Sequence, residues 1–199
     1  MHQRSNPKFE HWRGCALAAV LIGLVGACGE PSVARQVDTP VASGPASSHD
    51  GERTGTITGT VGTQGGEWST LKVSNGSETH ATASFSSPTE MMTDFSLQGH
   101  RTQAVQILGT VTIEFTFMND RLVESGVKYF PEETTFPFYG DHDGSVEITI
   151  DQVDIDGDIA TVTGQAFGKI YRVVNFRTDP DLADARNVDL RFEVTAHRQ

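Results

Sequence analysis

Three short runs of this chain concentrate aspartate: GDHDGS from Gly140, DQVDIDGD from Asp151 and DPDLAD from Asp179. Calcium takes roughly 6–8 oxygen ligands from carboxylates and carbonyls, and closely spaced loop aspartates supply them. Asp141, Asp143, Asp154, Asp156 and Asp158 are therefore the candidate metal ligands. The sequence demands no cofactor, and calcium is the one these acids would suit. Asp-Gly pairs also make tight turns unaided, so the plainer reading of the same runs is solvated hairpin loops.

The spacing argues against a calcium loop between helices. With Asp154 as the first position, the sixth is Ile159 rather than glycine and the twelfth is Gln165 rather than a bidentate glutamate. His80, His100, His142 and His197 are scattered, with no pair at zinc spacing. Ser96, Ser125 and Ser145 lack the G-x-S-x-G context of an exposed nucleophile. Paired carboxylates for glycoside hydrolysis need a set separation that spacing in sequence cannot supply. The expectation is a protein that is not an enzyme, with a carboxylate-pair hydrolase the least favoured alternative.

A second candidate lies in KYFPEETTFPFYG, where Tyr129, Phe130, Phe136, Phe138 and Tyr139 crowd a connection bearing two prolines. Long connections without their own secondary structure are usually either functional or disordered. Exposed rings there would stack on sugars or anchor a protein partner. The competing reading folds the same rings over an open end of the core.

These residues need a scaffold, and the flanking sequence points to strands. Ile107, Gly109, Val111, Ile113, Phe115 and Phe117 alternate with polar residues. Val146, Ile148 and Ile150 do the same, as do Val188, Leu190, Phe192 and Val194, and the segments around Ile57, Phe85 and Phe95. Period two with one apolar face predicts half-buried antiparallel strands. Asn119-Asp120, Asp143-Gly144 and Asp156-Gly157 are expected turns, the last a type I′ hairpin. Apolar residues nowhere recur at helical spacing. The fold expected is all-β, an antiparallel β-sandwich of about eight to ten strands over residues 54–199.

The N-terminal part differs. Arg4, Lys8 and Arg13 precede an uncharged run from Cys15 to Ala27, too short for the roughly 20 residues of a membrane span. A basic start, a short apolar run and small residues describe a secretory signal. Val25-Gly26-Ala27-Cys28 resembles the bacterial lipobox. That resemblance implies cleavage before Cys28, lipidation of its thiol, and retention in the cell envelope. Gly29 after the cysteine implies the outer membrane, facing the periplasm or the surface. Two or three acyl chains suffice for stable anchoring where one does not.

Residues 28–53 carry Pro31, Pro40 and Pro45 among many serines and alanines, with no aromatic residue. Such a segment cannot bury enough apolar surface to order itself and reads as a tether spanning roughly 25–30 Å. Loss of residues 1–27 would remove three of the 15 basic residues and one of the 26 acidic ones, leaving a net charge of −13. That balance disfavours nucleic acid as a partner. With Cys15 removed and Cys28 lipidated, no thiol remains for a disulfide.

One family resemblance spans the strand-forming part. Gly66-Glu67-Trp68, then Gly144-Ser-Val-Glu-Ile-Thr-Ile150, then Val162-Thr-Gly-Gln-Ala-Phe167 resemble motifs of uncharacterised bacterial lipoproteins with an Ig-like β-sandwich. The resemblance implies fold and location but no activity. The expectation is a membrane-anchored lipoprotein presenting a non-enzymatic binding or envelope-assembly module, whose partner is a protein or a glycan. A calcium-dependent binding domain, with carbohydrate as one ligand it would suit, is the alternative.

Overall fold

The structure is a computed structural model that describes residues 51–133, 136–141, 145–175 and 179–199. Eleven strands follow in chain order: β1 (Glu52–Val61), β2 (Gln64–Asn75), β3 (Glu78–Ala81), β4 (Ala83–Thr89), β5 (Met92–Gly99) and β6 (Val111–Met118). The remainder are β7 (Arg121–Tyr129), β8 (Phe138–Asp141), β9 (Val146–Asp156), β10 (Ile159–Arg172) and β11 (Asp181–Arg198). The all-β expectation holds, and the strands join in one eleven-stranded sheet. β1 starts at Glu52, so Glu52 and Arg53, read as tether from their composition, are paired strand residues opposite Lys72 and Leu71. The signal segment and the rest of the tether lie outside the described residues.

The two longest strands form the spine. β10 pairs with β11 from Ile159↔His197 to Arg172↔Asp181. The second edge of β11 pairs with β1 over Val188–Val194, then with the start of β4 at His197 and Arg198 in the sheet's parallel contact. The second edge of β10 pairs with β9, then with β8 at Tyr171 and Arg172. A meander from β4 through β8 thus runs between opposite ends of the spine. The sheet folds back on itself, and inward residues of both layers build one core.

Period-two patterning explains that core. Val188, Leu190, Phe192, Val194 and Ala196 of β11 are buried, and most residues between them are exposed. Cross-strand partners Phe85, Phe95 and Phe115 stack at 5.6 and 4.8 Å, with Phe117 edge-on to Phe115. Stacked pairs add roughly 0.5–1.5 kcal/mol each beyond their burial. The family-like motifs are core signatures too. Trp68, Val146, Ile148, Val162 and Ala166 are all buried. Gly164 is glycine of necessity: a Cβ there would sit 2.4 Å from Thr149 O and 2.7 Å from the Phe192 ring.

Two local expectations are corrected. Ile107 and Gly109 do not extend β6. Gly109 has φ +75, Thr110 Oγ1 donates to Ile107 O at 2.6 Å, and Ile107 is 60% exposed. This bend lets Gly109 O accept the indole N–H of Trp68 at 2.9 Å. The β9–β10 turn also differs. Asp156 pairs with Ile159, so the two-residue loop is Gly157-Asp158, with positive φ at Gly157 alone. That is the type II′ pattern, not I′. Asn119 and Asp120, with φ 50 and 61, supply the type I′ turn.

Candidate functional site

The aspartate candidates are split between distant places. Asp154 and Asp156 are exposed on β9. Asp158 sits in the adjoining turn and pairs with Arg198 at 3.1 Å. Asp141 ends β8 beside Gly140, which lies against Lys169 O of β10, whereas Asp154 faces Thr161. At about 3.3 Å per residue along β10, that places Asp141 roughly 25 Å from Asp154. Asp143 lies outside the described residues. Among the described residues no three His, Cys, Asp or Glu side chains converge on a metal-sized site.

The aromatic segment gathers more. Tyr129 ends β7 and Phe138 opens β8, paired with one another across the sheet and fully buried. For these two the reading as exposed loop rings is overturned, because the pleat turns both inward. Phe130 and Tyr139 are half-buried, and Phe136 is 42% exposed.

The buried rings are a platform for cations. The Arg172 and Arg186 guanidinium carbons lie 4.2 and 4.3 Å from the Phe138 centroid, and that of Arg186 lies 5.5 Å from the Tyr129 ring. Lys128 approaches Tyr139 at 5.9 Å. The register explains the placement. β11 begins seven residues before its first partner in β1, Val188, and Arg186 sits in that overhang opposite Ile170 of β10. The β1–β2 turn closes over it, with Gly62 N–H donating to Asn187 O at 2.7 Å. The result is a cleft of about 290 Å³ lined by Val61, Gly62, Thr63, Gln64, Ala185 and Arg186.

The two arginines are used differently. Arg172 Nε donates to Asp184 Oδ2 at 3.1 Å and Nη1 to Phe136 O at 3.4 Å. Arg186 is half-buried, and among the described residues it has ring contacts and no acid partner. Gln64 is fixed alongside, its Oε1 accepting the Tyr129 hydroxyl at 2.7 Å. Among the described residues the amide N–H groups of Gln64 and the hydroxyl of Thr63 have no partner, and both residues line the cleft with Arg186.

A larger cleft, about 510 Å³, opens where β1 and β4 diverge from the edge of β11. Lys72, His80, His197, Arg198 and Ser84 line it. Its arginine is committed, whereas Lys72 has no acid partner among the described residues. Arg198 binds Asp158 and the Gly157 carbonyl while covering the Phe85 ring at 4.7 Å, and His80 lies 3.6 Å from Glu78. Burial holds His197 below its ordinary pKa, helped by the charge of Lys72 and opposed by Glu52. His197 and Ser84 are register partners.

Sequence reasoning found the rings but neither the cations over them nor the cleft that His80 and His197 line together. Spacing carries no signal for either, because only strand register joins Gln64, Tyr129 and Arg186. Compared with known proteins, the chain matches no family model, no curated protein and no solved structure.

Proposed function

We propose that this chain is a bacterial lipoprotein, lipidated at Cys28, that presents a non-enzymatic β domain as a binding module in the cell envelope. The observation that carries the anchor is Val25-Gly26-Ala27-Cys28 closing a short uncharged run behind a basic start. The motif resemblance to lipoproteins with a β-sandwich supports the same reading. The binding surface we assign is the cleft beneath the β1–β2 turn, because the ring-stacked Arg186 lines it together with Gln64 and Thr63, whose side-chain donors have no partner among the described residues. The partner we propose is a protein or a glycan of the envelope. Gly29 after the lipidated cysteine favours the outer membrane.

Metabolic labelling of the full chain with an alkyne fatty acid tests the anchor. Label on the membrane-bound protein, lost in Cys28→Ser together with membrane association, is the expected result. Label that persists in Cys28→Ser, or an unlabelled soluble chain, would overturn it.

A further inference from the structure

We propose that Arg186, with the Gln64 side-chain amide and the Thr63 hydroxyl, forms a receptor for an oxyanion, the carboxylate or phosphate group of a larger ligand. The inference rests on the reading of this cleft as the binding surface and names the chemistry it would take.

Four observations converge. The first is charge imbalance: two guanidinium groups share the Phe138 ring, and among the described residues the one carboxylate bound to them, Asp184, is held by Arg172. An anion at Arg186 would complete that neutralisation. The second is context. The mature chain carries an excess of acids, yet among the described residues none pairs with Arg186. A half-buried guanidinium left without an acid is costly unless something else offsets it.

The third is preorganisation. Contacts with Phe138 and Tyr129 hold the planar fork, so little rotamer freedom is left to lose on binding. A guanidinium fork matches two oxygens of a carboxylate or phosphate at once. The fourth is donor complementarity. The Tyr129 hydroxyl binds the carbonyl oxygen of Gln64 and so turns that side of the amide towards Tyr129, while the amide N–H groups have no partner among the described residues, and no carboxylate lines the cleft. In the larger cleft Arg198 already faces Asp158, and Lys72, which meets no acid and no ring among the described residues, offers a point charge without the planar fork.

The test is ligand-observed NMR on the full-length protein in detergent micelles. It follows line broadening of the phosphorus signal of inorganic phosphate and of the methyl signal of acetate, at constant ionic strength. The expected dissociation constant is on the order of millimolar, as befits one charge-assisted contact set. Arg186→Lys keeps the charge but removes the fork and should weaken binding about tenfold. Thr63→Val, on an exposed turn, should weaken it about threefold with unchanged melting, and so guards against a misfolded Arg186 variant. Broadening of phosphate alone assigns a phosphorylated ligand, and broadening of acetate alone an acidic peptide or sugar acid. Either outcome supports the site. Absence of broadening by both anions, or an equal loss of binding in Arg198→Lys, would overturn it. A silent cleft would leave the lipid anchor untouched, and failure of Cys28 labelling would leave the cleft untouched.

Discussion

Two clefts in this domain place an arginine over a buried aromatic ring, and they differ in what else the arginine holds. At the fork between β1 and β4, Arg198 covers Phe85, binds Asp158 and caps the Gly157 carbonyl. Its charge is spent on closing the β9–β10 hairpin against the end of β11. Beside β8, Arg186 covers Phe138 and Tyr129 and meets no acid among the described residues. The lesson is that stacking on a ring fixes where a guanidinium points, while its carboxylate decides whether the charge remains available. The smaller cleft is the better candidate although the larger one has more volume and more basic residues.

The largest effect that sharpens this contrast comes from the shared ring. Phe138→Ala should destabilise the domain by about 3–5 kcal/mol. For a domain of this size that lowers the melting temperature by roughly 10 °C or more. Phe138→Leu keeps most of the volume and should cost about 1–2 kcal/mol, with anion binding weakened because Arg186 loses its platform. Differential scanning calorimetry beside the anion titration separates the two effects. Unchanged binding in Phe138→Leu would show that the ring does not orient the arginine.

Next in size is the response to pH. His100 is buried, its Nδ1 3.0 Å from Gln106 O, and burial lowers its pKa from 6.5 while the Gln106 carbonyl opposes that shift. Burial likewise lowers the pKa of His197. In both cases the unfolded chain takes up a proton at higher pH than the folded one. Stability is therefore full above about pH 6.5, falls as pH drops towards the lowered folded values, and levels off below them. Melting followed between roughly pH 7.5 and pH 5 should show this loss, and His100→Gln should reduce it. A guanidinium is not among the groups that titrate in this range. The fork should thus be pH-sensitive where the smaller cleft is not. Equal pH dependence of acetate binding and of stability would break that distinction.

A smaller effect would convert one cleft into the other. Asp158→Asn removes an exposed partner and should cost no more than about 1 kcal/mol. It should also free Arg198 to respond to phosphate, which the unaltered fork does not. The smallest expected effect is that of calcium. Ligand at about 100 times its dissociation constant adds ~2.7 kcal/mol. With Asp141 far from Asp154 and Asp156, millimolar calcium should leave the melting temperature unmoved. A clear shift would restore the aspartate hairpin as a metal site.

How far the sequence foretold this arrangement depends on the range of the forces involved. Period-two patterning in Val188–Val194 and Val111–Phe117 gave the strands and their buried faces, because alternation is a local property. Turn chemistry was legible where side chains dictate φ, as at Asn119-Asp120, and misread at Gly157, where register rather than composition chose the loop. Ile107 continued the alternation in sequence, but the left-handed Gly109 took it out of the sheet. At the candidate site the rings Tyr129 and Phe138 were visible as a cluster. Their burial and the arrival of Arg172, Arg186 and Gln64 were not, because those residues come from strands far apart in sequence. The aspartates looked concentrated because they are near in sequence, but extended strands carry such neighbours apart.

The central claim is that Arg186 offers its charge to a ligand and Arg198 does not. The most direct measurement follows both side-chain Nε–H signals in one arginine-labelled NMR spectrum of the full-length protein as phosphate is added. The account predicts that the Arg186 signal shifts and saturates while the Arg198 signal, held by Asp158, stays in place. A shift of Arg198 with Arg186 unmoved, or parallel movement of both, would contradict it.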